Sequence, residues 1–222
     1  ETPSPQFWGD VVRMALAKQE TFASVTSFEP TMAREAWNKA VIAILLSLSL
    51  MAIYIWFRFA KFSSGIAAVV ATVHDVLIAL GAVSVAVYVA QYVPWLAGPL
   101  MLTDMKVNLP LIGAFLTLVG YSVNDTIVVF DRIRENRGKY GDLSTTIINN
   151  SINQTLSRTV LTSSTVFVAV VALYFFGGKT SSIHGLAFVM LVGTFVGCYS
   201  SVAIASPILV MGDYLRKVYA WS

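Results

Sequence analysis

Five long apolar runs constrain the chain more than any other feature: Ala40–Phe57, Ile66–Val93, Val107–Phe130, Thr159–Phe176 and Ile183–Met211. Each is about 18 to 29 residues long, enough for a helix to cross a hydrocarbon layer of roughly 30 Å. None alternates polar and apolar residues with period two, as strands of a membrane barrel do. Of all residues, 56% are hydrophobic and 12% charged, against about 25% charged in a soluble domain. That is too little polar surface to face water, so the sequence predicts an all-α polytopic membrane protein. The net charge of +3 does not signal nucleic-acid binding, because the basic residues flank the spans instead of forming a basic domain. The single cysteine, Cys198, lies inside the last span and has no intrachain disulfide partner.

Basic residues in the connections set the expected orientation. Arg58 and Lys61 follow span one, and Arg132, Arg134, Arg137 and Lys139 follow span three, with Arg158 at the opening of span four. Arg216 and Lys217 follow span five, whereas Lys106 and Lys179 stand alone in the other two connections. The bias predicts an amino terminus outside and a carboxyl terminus in the cytoplasm. Such a topology is expected to need an earlier span in the native precursor. Residues 1–37 then read as the remnant of an extracytoplasmic α+β domain, with a short helix over 7–19 and a strand at Thr21–Phe28. The transmembrane domain covers 38–215 and a cytoplasmic tail 216–222. Asp142 or Ser144 is expected to cap a helix in the connection Asp131–Ser157, with Ile148, Ile152 and Leu156 on one face, lying along the membrane surface before span four.

Polar residues inside the apolar runs are the candidate functional groups. In the run GYSVNDTIVVFDRIREN, Gly120–Asn136, Ser122, Asn124 and Asp125 precede a burst of charge. An Asp at the centre of a membrane helix costs roughly 2.5 to 3.5 kcal/mol and usually marks an ion or proton pathway; the bland alternative is a hydrogen bond between helices. Counted from the outer ends of spans three and four, Asp125 and Arg158 reach the same depth, roughly 27 Å, so a side-by-side packing would bring them together. Snorkelling of Arg158 to the interface is the competing reading. Arg158, Thr162 and Thr165 recur at helical spacing, widened by Ser157, Ser163 and Ser164, either as a hydrated face or as packing. In span two, His74 and Asp75 form either a structural pair or part of a proton route. No metal-ligand set or haem-ligand pair is legible, so no cofactor is expected. Gly193, Gly197, Ser201 and Ala205 read as a packing face of span five, with Pro207 kinking its inner end.

The ordered series of motifs is specific. GYSVNDTIVVFDRIREN resembles the signature of the SecF family of protein-export membrane components. Tyr54–Phe59 resembles the end of that family's corresponding span, Val73-His74-Asp75-Val76 its HDV element, and Val107–Pro110 the opening of span three. Ser151–Thr159 and Gly197–Ser201 through Pro207 resemble the last two spans, so the likeness runs from about Pro30 to Leu215. It implies a resistance-nodulation-division (RND) type bundle of six spans, five present here, paired pseudosymmetrically with SecD. Two stretches depart from the pattern: Glu29–Met32 replaces a glycine-rich sequence, and the connection Gln91–Met105, with Trp95 and Pro99, is long, as in a fused SecD–SecF chain.

The resemblance further implies a role in the Sec pathway of the bacterial inner membrane, drawing on the proton motive force to assist preprotein export. SecD, the SecYEG translocon, YajC and YidC are the implied partners. By motif match Asp125 falls on the family's proton-carrying Asp and Arg158 on its Arg partner. Burial disfavours a charged carboxylate and a nearby Arg favours it, so an Asp125 that alternates between an Arg158 pair and a protonated form is the expected device. The rival readings are a proton-coupled small-molecule transporter of the same superfamily and a structural scaffold. An intramembrane protease is excluded, since neither a GxGD element nor a GxSG serine occurs.

Overall fold

The computed structural model describes residues 30–59, 62–103, 105, 108–138, 143–178 and 182–219. The helix expected over 7–19 and the strand at Thr21–Phe28 lie outside the described residues. The chain divides into two compact units, Glu1–Asn38 and Lys39–Ser222. Seven α-helices appear in the described residues: α1 (Pro30–Phe59), α2 (Phe62–Tyr92), the single turn α3 (Pro94–Ala97), α4 (Leu109–Arg137), α5 (Thr145–Phe176), α6 (Ser182–Ser200) and α7 (Ser206–Tyr219). A π-helical segment, Ser201–Ala205, joins the last two. Five stretches are long and apolar enough to cross a membrane: Trp37–Phe59, Phe62–Tyr92, Leu109–Arg137, Thr145–Phe176 and Ile183–Gly212.

Local chemistry sets the helix ends. Asn108 adopts an extended conformation and its side chain accepts a hydrogen bond from Leu111 N at 2.9 Å, with Pro110 in the first turn, where its missing N–H costs nothing. Ser144 caps α5 by accepting from Ile147 N. The helix it starts is longer than the sequence reading allowed. Instead of a surface helix that turns into span four, α5 runs unbroken from Thr145 to Phe176, because nothing between them is a Gly or Pro that would interrupt the hydrogen-bond ladder. At the same end of the bundle as Thr145, α6 meets Pro207. One wide turn is inserted before it, and Ser206 Oγ donates back to Ser201 O at 3.0 Å. A π turn lets the ring avoid the preceding carbonyls, so the expected kink takes this form.

The helices α2, α4, α5 and α6 pack together with α4 and α6 in closest association. Small residues set that closeness. A Cβ on Gly193 would collide with Leu118, and one on Gly197 would stand 3.4 Å from Ser122 Cα. The reading of this glycine stripe as a packing face therefore holds. Hydrophobic side chains gather in two clusters, one around Phe59, Phe130 and Ile133 and the other around Phe115, Leu118 and Val189. Between them lies a layer of buried polar groups that includes Asp75, Ser122, Asp125, Ser163 and Ser200. The outside is apolar: Ile42, Leu45, Leu50, Val85, Val168 and Phe195 are all exposed, as suits a bundle bathed in lipid.

Charged groups collect at the end of the bundle where α4 finishes. Arg58 pairs with Asp131 at 3.0 Å, Arg132 Nε donates to Gln154 Oε1 at 2.7 Å, and Asn136 donates to Ser151 Oγ at 2.8 Å. These bonds tie α4 to α1 and α5. At the opposite end Tyr174 donates to Leu100 O and His184 bonds Met101 O, pinning the turn after α3.

The α4–α6 contact is directly testable. An ideal Cβ on Gly197 lies 3.5 Å from Ser122 Cβ, at the near edge of the disulfide range of about 3.5–4.5 Å. The double substitution Ser122→Cys and Gly197→Cys, in a Cys198→Ala background, is expected to close an intramolecular disulfide on mild oxidation, read by intact-mass analysis. Two persistently free thiols would contradict this packing.

Candidate functional site

Two polar clusters occupy the middle layer. In the first, Asp125 projects from α4 into the bundle with only 2% of its surface exposed. Ser163 Oγ, from α5, donates to Asp125 Oδ2 at 3.0 Å and in turn accepts from the Tyr121 hydroxyl at 3.2 Å. Tyr121 and Asp125 lie four residues apart on α4 and so share one face. The result is a short donor chain, Tyr121 to Ser163 to Asp125.

The second cluster surrounds Asp75 on α2, which is wholly buried. Its Oδ2 accepts from Ser122 of α4 through a very short contact and from Ser200 of α6 at 2.7 Å. Its Oδ1 meets His74 Nδ1 at 3.0 Å, and His74 Nε2 meets the Tyr199 hydroxyl at 3.1 Å. The two rings of that last pair stand edge to face with centroids 5.8 Å apart. Gly197 lies beside the cluster: a Cβ there would be in van der Waals contact with Ser122 and 3.8 Å from Asp75 Oδ2.

The remaining candidates from the sequence point elsewhere. Arg158, Asn124, Thr162 and Thr165 are exposed. Thr162 and Thr165 donate to carbonyls of their own helix, Arg158 O and Thr162 O, and do not line Asp125. The direct Asp125–Arg158 contact expected from depth is not formed. Two contacts, Ser163 with Asp125 and Ser151 with Asn136, fix the antiparallel register of α4 and α5. In that register Ser163, five residues further along, is level with Asp125. Arg158 lies about 7.5 Å nearer the charged end and about 140° around the helix from Ser163, given 3.6 residues per turn. Its Cα–Cβ bond also leans toward the amino end of α5, away from Asp125.

Sequence reasoning left Tyr121, Tyr199 and Ser200 without a role. Helical spacing exposes Tyr121, since it sits one turn before Asp125. Ser200 and Tyr199 have no such local signal, because their partners lie on α2, 125 residues away in sequence.

Carboxylates held at mid-depth in a five-span helical bundle, each fed by hydroxyls from neighbouring helices, define a polytopic membrane protein with an ionisable interior. Its relatives make the class specific. Residues 11–214 match the family described as protein export membrane protein SecD/SecF, C-terminal, and the chain belongs to that family. It is 45% identical to the protein translocase subunit SecF of Desulfurispirillum indicum over 86% of this chain and 54% of that protein. Against the SecF of Koribacter versatilis the identity is 43%, over 82% of this chain and 40% of that protein. The SecDF subunit of Thermus thermophilus is 40% identical over 85% of this chain and 23% of its own length. The chain thus spans about half the length of the SecF relatives it matches and about a quarter of the SecDF one.

Stability measurements separate the observed geometry from the expected ion pair. Arg158→Gln is expected to change unfolding free energy in detergent by less than about 0.5 kcal/mol, as for other exposed sites. Ser163→Ala, which deprives both Tyr121 and Asp125 of a partner, is expected to cost about 1–2 kcal/mol. A loss of about 3–5 kcal/mol on Arg158→Gln would instead indicate a buried pair.

Proposed function

We propose that this chain is the membrane part of a SecF-like translocase subunit in which Asp125 carries protons, and that proton movement assists the export of preproteins. The observation that carries the reading is the surroundings of Asp125: a carboxyl group at mid-span, 2% exposed, hydrogen-bonded by Ser163 and with Arg158 turned away. A hydroxyl without a cation suits the neutral acid, since an uncompensated charge in such a place is costly. With a single hydroxyl as partner, the charged form of Asp125 needs a cation, and Arg158 is within reach of a helix movement. Reaching it requires α5 to roll and to slide by about one turn, roughly 5.4 Å, a size of step that bistable helix contacts support.

Such a movement would couple protonation to shape. One proton crossing 100 mV supplies about 2.3 kcal/mol, comparable with the hydrogen bonds that hold α5 in its present register. The exposed polar face of α5, carrying Arg158, Thr162 and Thr165, favours a protein neighbour over lipid. SecD is the partner we assign to it, separate or in the same chain, on the strength of the SecDF relatives. SecYEG, YajC and YidC complete the assembly in this proposal. With the charged end of the bundle in the cytoplasm, as the basic bias favours, the amino terminus of the chain is extracytoplasmic.

Proton conductance and preprotein export, measured together in vesicles carrying the intact protein, test the reading. Asp125→Asn is expected to lower both by about tenfold or more, in line with the loss of a proton-transferring group, while the protein still assembles. If both activities persist, the Asp125–Ser163 bond is an interhelical tie and the subunit is a scaffold.

A further inference from the structure

His74 packs on Tyr199 of α6, but its bond to Asp75 is not needed to hold helices together. Ser122 and Ser200 already join Asp75 to α4 and α6 through one carboxylate oxygen. The bond from His74 lies within α2, between adjacent residues, and joins no two helices. Neighbours one position apart on a helix do not normally face each other, so the ring is turned deliberately toward the second oxygen. Its other nitrogen meets Tyr199 of α6.

Exposure is graded along this array. Tyr199 is 45% exposed, the His74 side chain 28% and the Asp75 side chain 0%. A titratable ring therefore stands between the outer, intramembrane face of the bundle and a buried carboxylate, hydrogen-bonded at both nitrogens. With Nδ1–H donating to Asp75, Nε2 accepts from the Tyr199 hydroxyl, and each polar atom in the array has a partner.

We propose that His74 and Asp75 form a second proton-carrying station on α2, separate from Asp125, with Tyr199 as its outward contact. A proton handed on by a polar group of a protein helix seated on this face arrives at His74 Nε2 as the Tyr199 hydroxyl turns aside. The Nδ1 proton then passes to Asp75 Oδ1, which leaves a neutral ring protonated at Nε2 and a neutral carboxylic acid. One proton is bound, and the pair goes from one net negative charge to none; the reverse steps release it. The proton belongs to the pair more than to either residue. The other titratable groups within one turn of its contacts are Tyr121 and Asp125 on α4 and Cys198 on α6. The single turn α3 and the π segment contribute none.

The station is linked to the α4 carboxylate through Ser122, which donates to Asp75 and lies three residues before Asp125. Neutralising Asp75 weakens the Ser122 bond, since hydrogen bonds to a charged acceptor are about twice as strong as neutral ones. Loading at α2 thereby loosens the seat of the helix that bears Asp125.

This inference shares the proton-flux readout of the proposed function but does not require Asp125 to carry the proton. Flux is measured in vesicles of the intact protein for wild type, Asp125→Asn, His74→Ala and Tyr199→Phe, each with and without added imidazole. We expect His74→Ala to lower flux by about tenfold or more and imidazole to restore a substantial part of it. A structural ring would not be replaced by a diffusing base. Flux lost in His74→Ala and rescued, but intact in Asp125→Asn, would uphold this station and overturn the role of Asp125. Flux lost in Asp125→Asn but unchanged in His74→Ala, or lost there without rescue, would overturn the station alone. Absence of flux in wild type would overturn both. Should His74→Ala not assemble, Tyr199→Phe decides, since it keeps the ring packing and removes only the hydroxyl: a fall of about threefold or more is expected, and unchanged flux would overturn the proposal.

Discussion

A carboxylate inside an apolar bundle must take its hydrogen bonds from other helices, because the membrane offers no water to supply them. Asp75 meets that constraint with hydroxyls from α4 and α6 on a single oxygen, and the rest of the bundle is arranged around the need. Gly193, whose Cβ would collide with Leu118, keeps α6 close to α4 in the same stripe, and Gly197 lies against Ser122 beside the cluster. The two hydrophobic clusters lie on either side of this polar layer. Their apolar packing supplies the bulk of the adhesion, while the hydroxyl–carboxylate bonds fix which residues are level with one another. An interior built this way is rigid between α2, α4 and α6 and leaves the outer helices less constrained.

The fourth span, α5, is joined to α4 by few side-chain bonds at mid-depth. At the charged end α5 is tied by Asn136, Arg132, Gln154 and Ser151. At mid-depth its side-chain bonds to α4 run through Ser163 alone among those described here. A helix anchored at one end and held by a hydroxyl bridge at its centre can shift for a small energy, of the order of one or two hydrogen bonds. Protonation changes are of that size. The polar layer thus places a chargeable group at the contact between α4 and α5.

Much of this was legible in the sequence. Apolar run length revealed the spans, and helical spacing with small residues revealed the α6 packing face. The cost of an intramembrane Asp singled out Asp125. Depth along a helix is also readable, since each residue adds a fixed rise. Azimuth and register between helices are not. Equating the outer ends of two spans placed Arg158 beside Asp125, whereas the contacts of Ser151 and Ser163 set the helices about five residues out of that alignment. Continuity was missed for a related reason: the polar stretch before Thr159 resembles a surface segment by composition, yet it contains no residue that stops a helix. Ser200 and Tyr199 gain their meaning only from a partner on α2, and no local pattern announces it.

The central claim is that α5 has two positions relative to α4, selected by the protonation of Asp125. Electron–electron distance measurements between spin labels at Thr117 on α4 and Val168 on α5, both exposed, test it most directly when made on the intact protein in lipid nanodiscs with Cys198→Ser. The account predicts two distance populations in the wild type, one for each position of α5 along and about its axis. Asp125→Asn, fixed in the neutral form, should collapse them into the one with Ser163 level with position 125. A single distribution, identical in both proteins, would contradict it.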